Sequence, residues 1–142
     1  MDEKSERVRS FIDAYIKEYP LYIEELKDVA KSSDVPIIMD STRDMIKLLQ
    51  KIKKPKHILE LGTAVGYSTL VMSEYTSKST KIDTVENYKP RITIAKKNIK
   101  LYDKYKKITL YDMDVSDFLN KKIKTNKKTG IYDFVFLDAA KA

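Results

Sequence analysis

Apolar side chains recur at three- and four-residue spacing through the first 53 residues, then gather into short blocks separated by turns from Lys56 onward. Val8, Phe11, Ile12, Tyr15, Ile16 and Tyr19 predict an amphipathic helix over 5–19, with Ser5 placed to cap it and Pro20 to interrupt it. Leu21, Ile23, Leu26, Val29 and Ala30 predict a second helix, closed by Ser32-Ser33-Asp34. Val35 is held extended by the proline that follows it. Asp40, Ser41 or Thr42 then caps a third helix that carries Met45, Leu48, Leu49 and Ile52.

The second part of the chain alternates. Strands are expected over 57–61, 81–86, 108–111 and 132–137. Helices are expected over 68–75, from Pro90 to about Tyr102, and over 115–119, with a basic loop at 121–130. Strands alternating with helices predict an α/β fold: a Rossmann-like, doubly wound parallel sheet covered on both faces. Residues 1–55 read as N-terminal helices capping the site and 56–142 as part of a Rossmann-like core, together one structural domain.

Composition narrows the chemistry. Hydrophobic residues make up 42% and charged residues 35%, an ordinary balance for a soluble domain. There is no cysteine, which removes disulfides, thiolate nucleophiles and Cys-ligated zinc. No apolar run is long enough to span a bilayer and the N-terminus lacks a signal-like apolar segment, so the expected location is cytoplasmic and no membrane partner is expected. Net charge is +7, but residues 1–50 carry −3 and residues 51–142 carry +10. A basic half suits a polyanion, although Lys-rich composition gives the same asymmetry and neither an Arg cluster nor an aromatic-basic repeat accompanies it.

The sharpest local signal is Glu60-Leu61-Gly62-Thr63-Ala64-Val65-Gly66-Tyr67-Ser68, which follows a strand and opens a helix. Glycines there permit a tight turn, and the helix start presents unpaired N–H groups to a ligand. The spacing is G-x-x-x-G, unlike the G-x-G-x-x-G of dinucleotide sites, which argues against a nicotinamide-dependent oxidoreductase. Glu86 ends the next strand, where a carboxylate can accept two bonds from vicinal ribose hydroxyls; a solvated loop glutamate is the alternative. Glu60 is a charge inside an apolar strand and so needs partners if buried, either ligand groups or loop amides; a partly exposed strand end is the alternative. Asp114 follows the third strand and Asp138 the fourth, so Gly62, Glu86, Asp114 and Asp138 are expected to converge on one crevice.

The stretch ILELGTAVGYSTL at 58–70 resembles the cofactor-binding motif of class I S-adenosylmethionine-dependent methyltransferases. More narrowly, the chain is similar to the metal-dependent O-methyltransferases, which include catechol and caffeoyl-CoA O-methyltransferases and bacterial tRNA 5-hydroxyuridine methyltransferases. VPIIMD at 35–40, TVEN at 84–87, MDVSDFL at 113–119 and YDFVFLDAAK at 132–141 carry the resemblance along the rest of the chain. It implies that Gly62, Gly66 and Ser68 shape the pocket for the methionine part of S-adenosyl-L-methionine, with Glu60 among the cofactor-binding residues. It implies that Glu86 holds the ribose, that Met113 and Asp114 lie along the adenine, and that Ile38 and Met39 close over the cofactor. Asp138 would border the cofactor and serve as the first of three oxygen ligands to Mg²⁺. Lys141 would be the catalytic base that takes the proton from the accepting hydroxyl.

By the same resemblance, family members have three further strands, in the order 3-2-1-4-5-7-6, and an Asp-Asn pair that completes the metal site. This chain ends at Lys141-Ala142, so the resemblance implies C-terminal truncation, an incomplete Mg²⁺ site and an apolar edge at Phe134–Leu137. Such an edge, or the N-terminal helices, is expected to make a homodimer. The expected activity is methyl transfer to a hydroxyl, on a small hydroxylated substrate or on 5-hydroxyuridine in tRNA. A catalytically inert cofactor-binding fragment is the alternative from another class.

Overall fold

A computed structural model describes residues 19–125 and 130–139, with Lys4, Glu6 and Arg7 near the start. The helix expected over 5–19 therefore lies almost wholly outside the described residues; Tyr19, at its end, is non-helical and buried. The elements are α1 (Leu21–Ser32), α2 (Asp40–Lys53), β1 (His57–Leu61), α3 (Tyr67–Glu74), β2 (Lys81–Glu86), α4 (Lys89–Tyr102), β3 (Ile108–Asp112), α5 (Val115–Thr125) and β4 (Phe134–Leu137). All strand pairs are parallel, in the order β3-β2-β1-β4. The chain steps outward from β1 to β2 to β3 and then returns to the far side of β1. This reversal opens a crevice between the carboxyl ends of β1 and β4, where doubly wound sheets bind ligands.

Strand alternation sorts the core into two faces. Ile58 and Ile82 turn toward Ile46 of α2 and Met72 of α3, with Phe134 and Phe136 against them. Leu59, Leu61 and Val85 turn the other way, onto Phe118 of α5. A further cluster joins Ile23, Leu26 and Ala30 of α1 to Leu70 and Val71 of α3. β4 is covered on one face only, since Val135 and Leu137 are 58% and 70% exposed. Covering of both faces, expected from the alternating pattern, thus fails at β4 among the described residues, and β4 pairs there with β1 alone.

Three expectations shift. The basic loop at 121–130 begins as helix, because α5 runs to Thr125. Asp114 caps it through a 2.7 Å bond from Ser116 N, and Lys122 reaches Asp83 at 3.3 Å. Lysines in its last turn also suit the negative end of the helix dipole. β4 is shorter than expected because Asp133 turns its carboxylate onto the N–H groups of Lys56 and His57. α2 has no side-chain cap: Asp40 already lies in its first turn and binds Lys27 at 2.8 Å and Arg43 at 3.4 Å.

Gln50 of α2 is 1% exposed, and neither end of its amide finds a hydrogen-bond partner among the described residues. A buried amide without partners loses its hydration for nothing in return. Gln50→Leu is therefore expected to stabilise the chain by about 1 kcal/mol. Urea unfolding checks this through a higher midpoint at unchanged slope; a lower midpoint would show that the amide is satisfied.

Candidate functional site

The turn after β1 is built from unusual backbone. Gly62, Ala64 and Gly66 all have positive φ, at 105°, 47° and 86°. Gly62 N and Thr63 N both donate to Val85 O at 3.0 and 3.2 Å, which lays the turn against β2. A Cβ on Gly62 would sit 2.5 Å from the carbonyl oxygen of Asp138, so glycine is what allows β4 to end beside the turn. The first turn of α3 then points N–H groups without intrahelical acceptors into the crevice.

Glu86 ends β2 opposite this turn. Its Oε2 accepts from Ala64 N at 2.9 Å, and its Oε1 accepts from Asn87 N and Tyr88 N, each at 3.0 Å. The carboxylate is thus fixed between two loops and keeps one of its roughly four acceptor sites unused. Asp138 lies on the other wall, positioned by a bond from its own N–H to Leu61 O at 2.9 Å. Burial pushes the Asp138 carboxyl above its ordinary range.

A small open cleft of about 230 Å³, mouth included, runs between these parts. Pro36, Ile37 and Ile38 form one side; Gly62 to Val65, Tyr67, Ser68 and Asp138 form the rest. Of the residues singled out from the sequence, Ile38, Gly62, Ser68 and Asp138 line it. Gly66 turns the chain into α3 and Glu86 binds the turn from β2.

Others stand elsewhere. Met39 is 72% exposed and precedes α2 rather than covering the cleft, because the extended segment turns it outward as Ile38 turns in. Met113 packs against the α5 face of the core and donates its N–H to Glu86 O at 3.1 Å, and Asp114 caps α5 and accepts from Asn87 Nδ2 at 3.4 Å, so both stand beside Glu86 rather than in the lining of the cleft. Lys141 lies outside the described residues.

Glu60 is fully buried and does not line the cleft. Its partners among the described residues are side-chain hydroxyls rather than loop amides. Ser68, Thr69 and Thr84 all donate to it, and Thr63 extends the chain through a 2.6 Å contact with Thr84. Glu60 therefore ties β1, β2 and the start of α3 together beneath the turn. Burial pushes its carboxyl up to about 7, against the pull of the three hydroxyls. Between about pH 4.5 and 7 the folded chain retains a proton that the unfolded chain has released. Stability is therefore expected to fall by up to roughly 3 kcal/mol as pH rises through that window and to level off above it. Thermal unfolding of the parent and Glu60→Gln from pH 5 to 8 checks this: the slope should vanish in the variant, and an unchanged slope would assign it elsewhere.

Residues that sequence reading missed include Thr63, Thr69, Thr84 and Tyr67. Arg43, buried on α2, bonds the Tyr67 hydroxyl at 3.4 Å and lies 3.8 Å over the Tyr19 ring. Its helical spacing from Ile46 and Gln50 was the available signal, masked by its charge. Among the described residues no three His, Asp or Glu side chains converge as a metal site, and no helix is long and apolar enough to cross a membrane.

Comparison with known proteins gives this geometry its setting. The chain is 28% identical over 136 residues to a catechol O-methyltransferase of Niastella koreensis, and 27% identical over 128 residues to a caffeoyl-CoA O-methyltransferase of Stellaria longipes. Those alignments cover 92% and 87% of this chain, but it spans 61% and 53% of those relatives. The crystal structure of an O-methyltransferase from Bacillus cereus in complex with SAH superposes with a TM-score of 0.77 at 24% identity, over 94% of this chain and 60% of that one. The pattern of the O-methyltransferase family matches residues 12–142, nearly the whole length, and the chain belongs to that family.

Proposed function

We propose that the cleft binds S-adenosyl-L-methionine and that the whole enzyme moves its methyl group onto a hydroxyl oxygen. The observation that carries the reading is Glu86, a carboxylate locked by three backbone N–H groups and facing a glycine turn at the end of β1. The SAH held by the Bacillus cereus relative supports it. The residues present suit the group. Glu86 can accept from a ribose hydroxyl with its remaining lone pair. The N–H groups of Tyr67 and Ser68 at the start of α3 suit the amino-acid carboxylate. Asp138 suits the ammonium, and Ile37 and Ile38 shield the cleft from water.

When bound, the cofactor supplies an electrophilic methyl group on a sulfonium. Gly62, Ser68, Glu86 and Asp138 would hold it so that an acceptor hydroxyl could reach the methyl carbon, and the hydroxyl proton would need a base. Positioning is then the main task of the cleft residues. Mg²⁺ fits the described residues poorly: Asp138 is one carboxylate, whereas a divalent ion takes six or more oxygens. No step is routed through it.

Calorimetric titration with S-adenosylhomocysteine and, separately, NAD⁺ tests the reading. Saturable binding of the first alone is expected; binding of NAD⁺ alone would overturn it. A methyl-transfer assay on the same sample separates an enzyme from an inert cofactor-binding module. We further propose self-association, since among the described residues β4 pairs with β1 alone and exposes Val135 and Leu137. Light scattering should show a dimer, and a monomer at high concentration would refute it.

A further inference from the structure

The end of the sheet opposite the cleft carries a different chemistry. Parallel strands all begin at one end, so the loops leading into β1, β2 and β3 gather there. Each brings two exposed lysines: Lys54 and Lys56, Lys78 and Lys81, Lys104 and Lys106. Bonds stitch these loops together, from Lys81 N to Lys56 O at 2.9 Å, from Ile82 N to Lys107 O at 2.9 Å and from Thr80 Oγ1 to Pro55 O at 2.8 Å. None of the six lysines forms an ion pair with a described carboxylate. The carboxylates in these loops are occupied with backbone: Asp103 takes the N–H groups of Lys107 and Ile108, and Asp133 those of Lys56 and His57. The carboxyl ends of the same strands carry Glu86, Asp112 and Asp138, of which Asp112 pairs with Lys89, so the exposed lysines of the three loops set this end of the sheet apart.

Two further features mark the basic pole. Tyr105 is 52% exposed there, with the Lys78 ammonium 5.0 Å from its ring centre. An open aromatic ring among cations is what stacks an unpaired base while phosphates are neutralised beside it. Moreover, Lys54 and Lys106 hold left-handed backbone, at φ 50° and 52°. Glycine would take that conformation more cheaply. Long cationic side chains stand where backbone preference alone would select none.

We propose that this pole is a binding surface for single-stranded RNA, with Tyr105 stacking one base and the lysines of the three loops holding the phosphates. It is independent of the methyl-transfer reading and holds for any acceptor. β2, with six residues, separates it from Glu86 by roughly 20 Å.

Fluorescence anisotropy of a labelled single-stranded oligouridylate, titrated with the full chain across a range of salt, tests it. Binding should weaken steeply with salt. Tyr105→Leu should weaken it about tenfold at fixed salt without changing the salt slope. Lys78→Ala should lower that slope by about 1. Lys106→Gly should weaken binding while leaving the unfolding midpoint unchanged or higher, a combination that a purely structural lysine would not give. Saturating S-adenosylhomocysteine should not compete. The proposal fails if Tyr105→Leu binds like the parent, if base-free heparin or anionic vesicles bind as tightly as the RNA, or if S-adenosylhomocysteine displaces it.

Discussion

Gly62→Ala is expected to destabilise the chain by about 4 kcal/mol, a large share of the stability of a domain this size. The added Cβ would lie 2.5 Å from the Asp138 carbonyl oxygen, 2.7 Å from its carbonyl carbon and 2.9 Å from Ala139 N. All three are backbone atoms of the segment leaving β4, so relief requires the strand end to move. The φ of 105° adds strain for any L side chain. Gly66→Ala supplies the contrast. Its Cβ would meet nothing nearer than the Ala95 Cα at 3.7 Å, an ordinary contact, so only the cost of left-handed backbone remains, about 1 kcal/mol. Denaturant unfolding of both variants checks the pair. Equal losses would mean that β4 does not end against the turn.

Glu86→Gln should act on binding more than on folding. The glutamine keeps one carbonyl oxygen for the N–H groups that the carboxylate now accepts, and turns an amide N–H₂ toward the other. A loss of about 1–2 kcal/mol in stability follows from the mismatched donor. Affinity for S-adenosylhomocysteine should fall roughly tenfold to a hundredfold, since a charged acceptor for the ribose hydroxyls becomes a neutral group with a single acceptor oxygen. Calorimetry on the folded variant separates the two effects. Unchanged affinity would remove Glu86 from the cofactor site.

The sheet was largely legible because each strand announced itself locally. The apolar blocks at 57–61 and 81–86 end at Gly62 and Glu86, and the chain there has no other compact way to hide them. The helix ends were less legible. α5 outruns its apolar stripe because Asp114 caps it and Lys122 is drawn to Asp83, a partner 39 residues away. The same distance problem hid the partners of Glu60. Its need for partners was readable, but the hydroxyl of Thr84 reaches it only because β1 and β2 pair in register, Glu60 opposite Thr84. Tyr105 and Lys78 are likewise far apart in sequence and meet only through the sheet. Local pattern reveals which residues must be satisfied; the register decides which side chains satisfy them.

A crystal of this chain soaked with S-adenosylhomocysteine is the most direct measurement. The ribose hydroxyls should bond the Glu86 carboxylate, and the amino-acid end should lie along the turn from Gly62 to Ser68. Density for the ligand at any other place, or a Glu86 side chain directed away from the ribose, would contradict the assignment of the cleft.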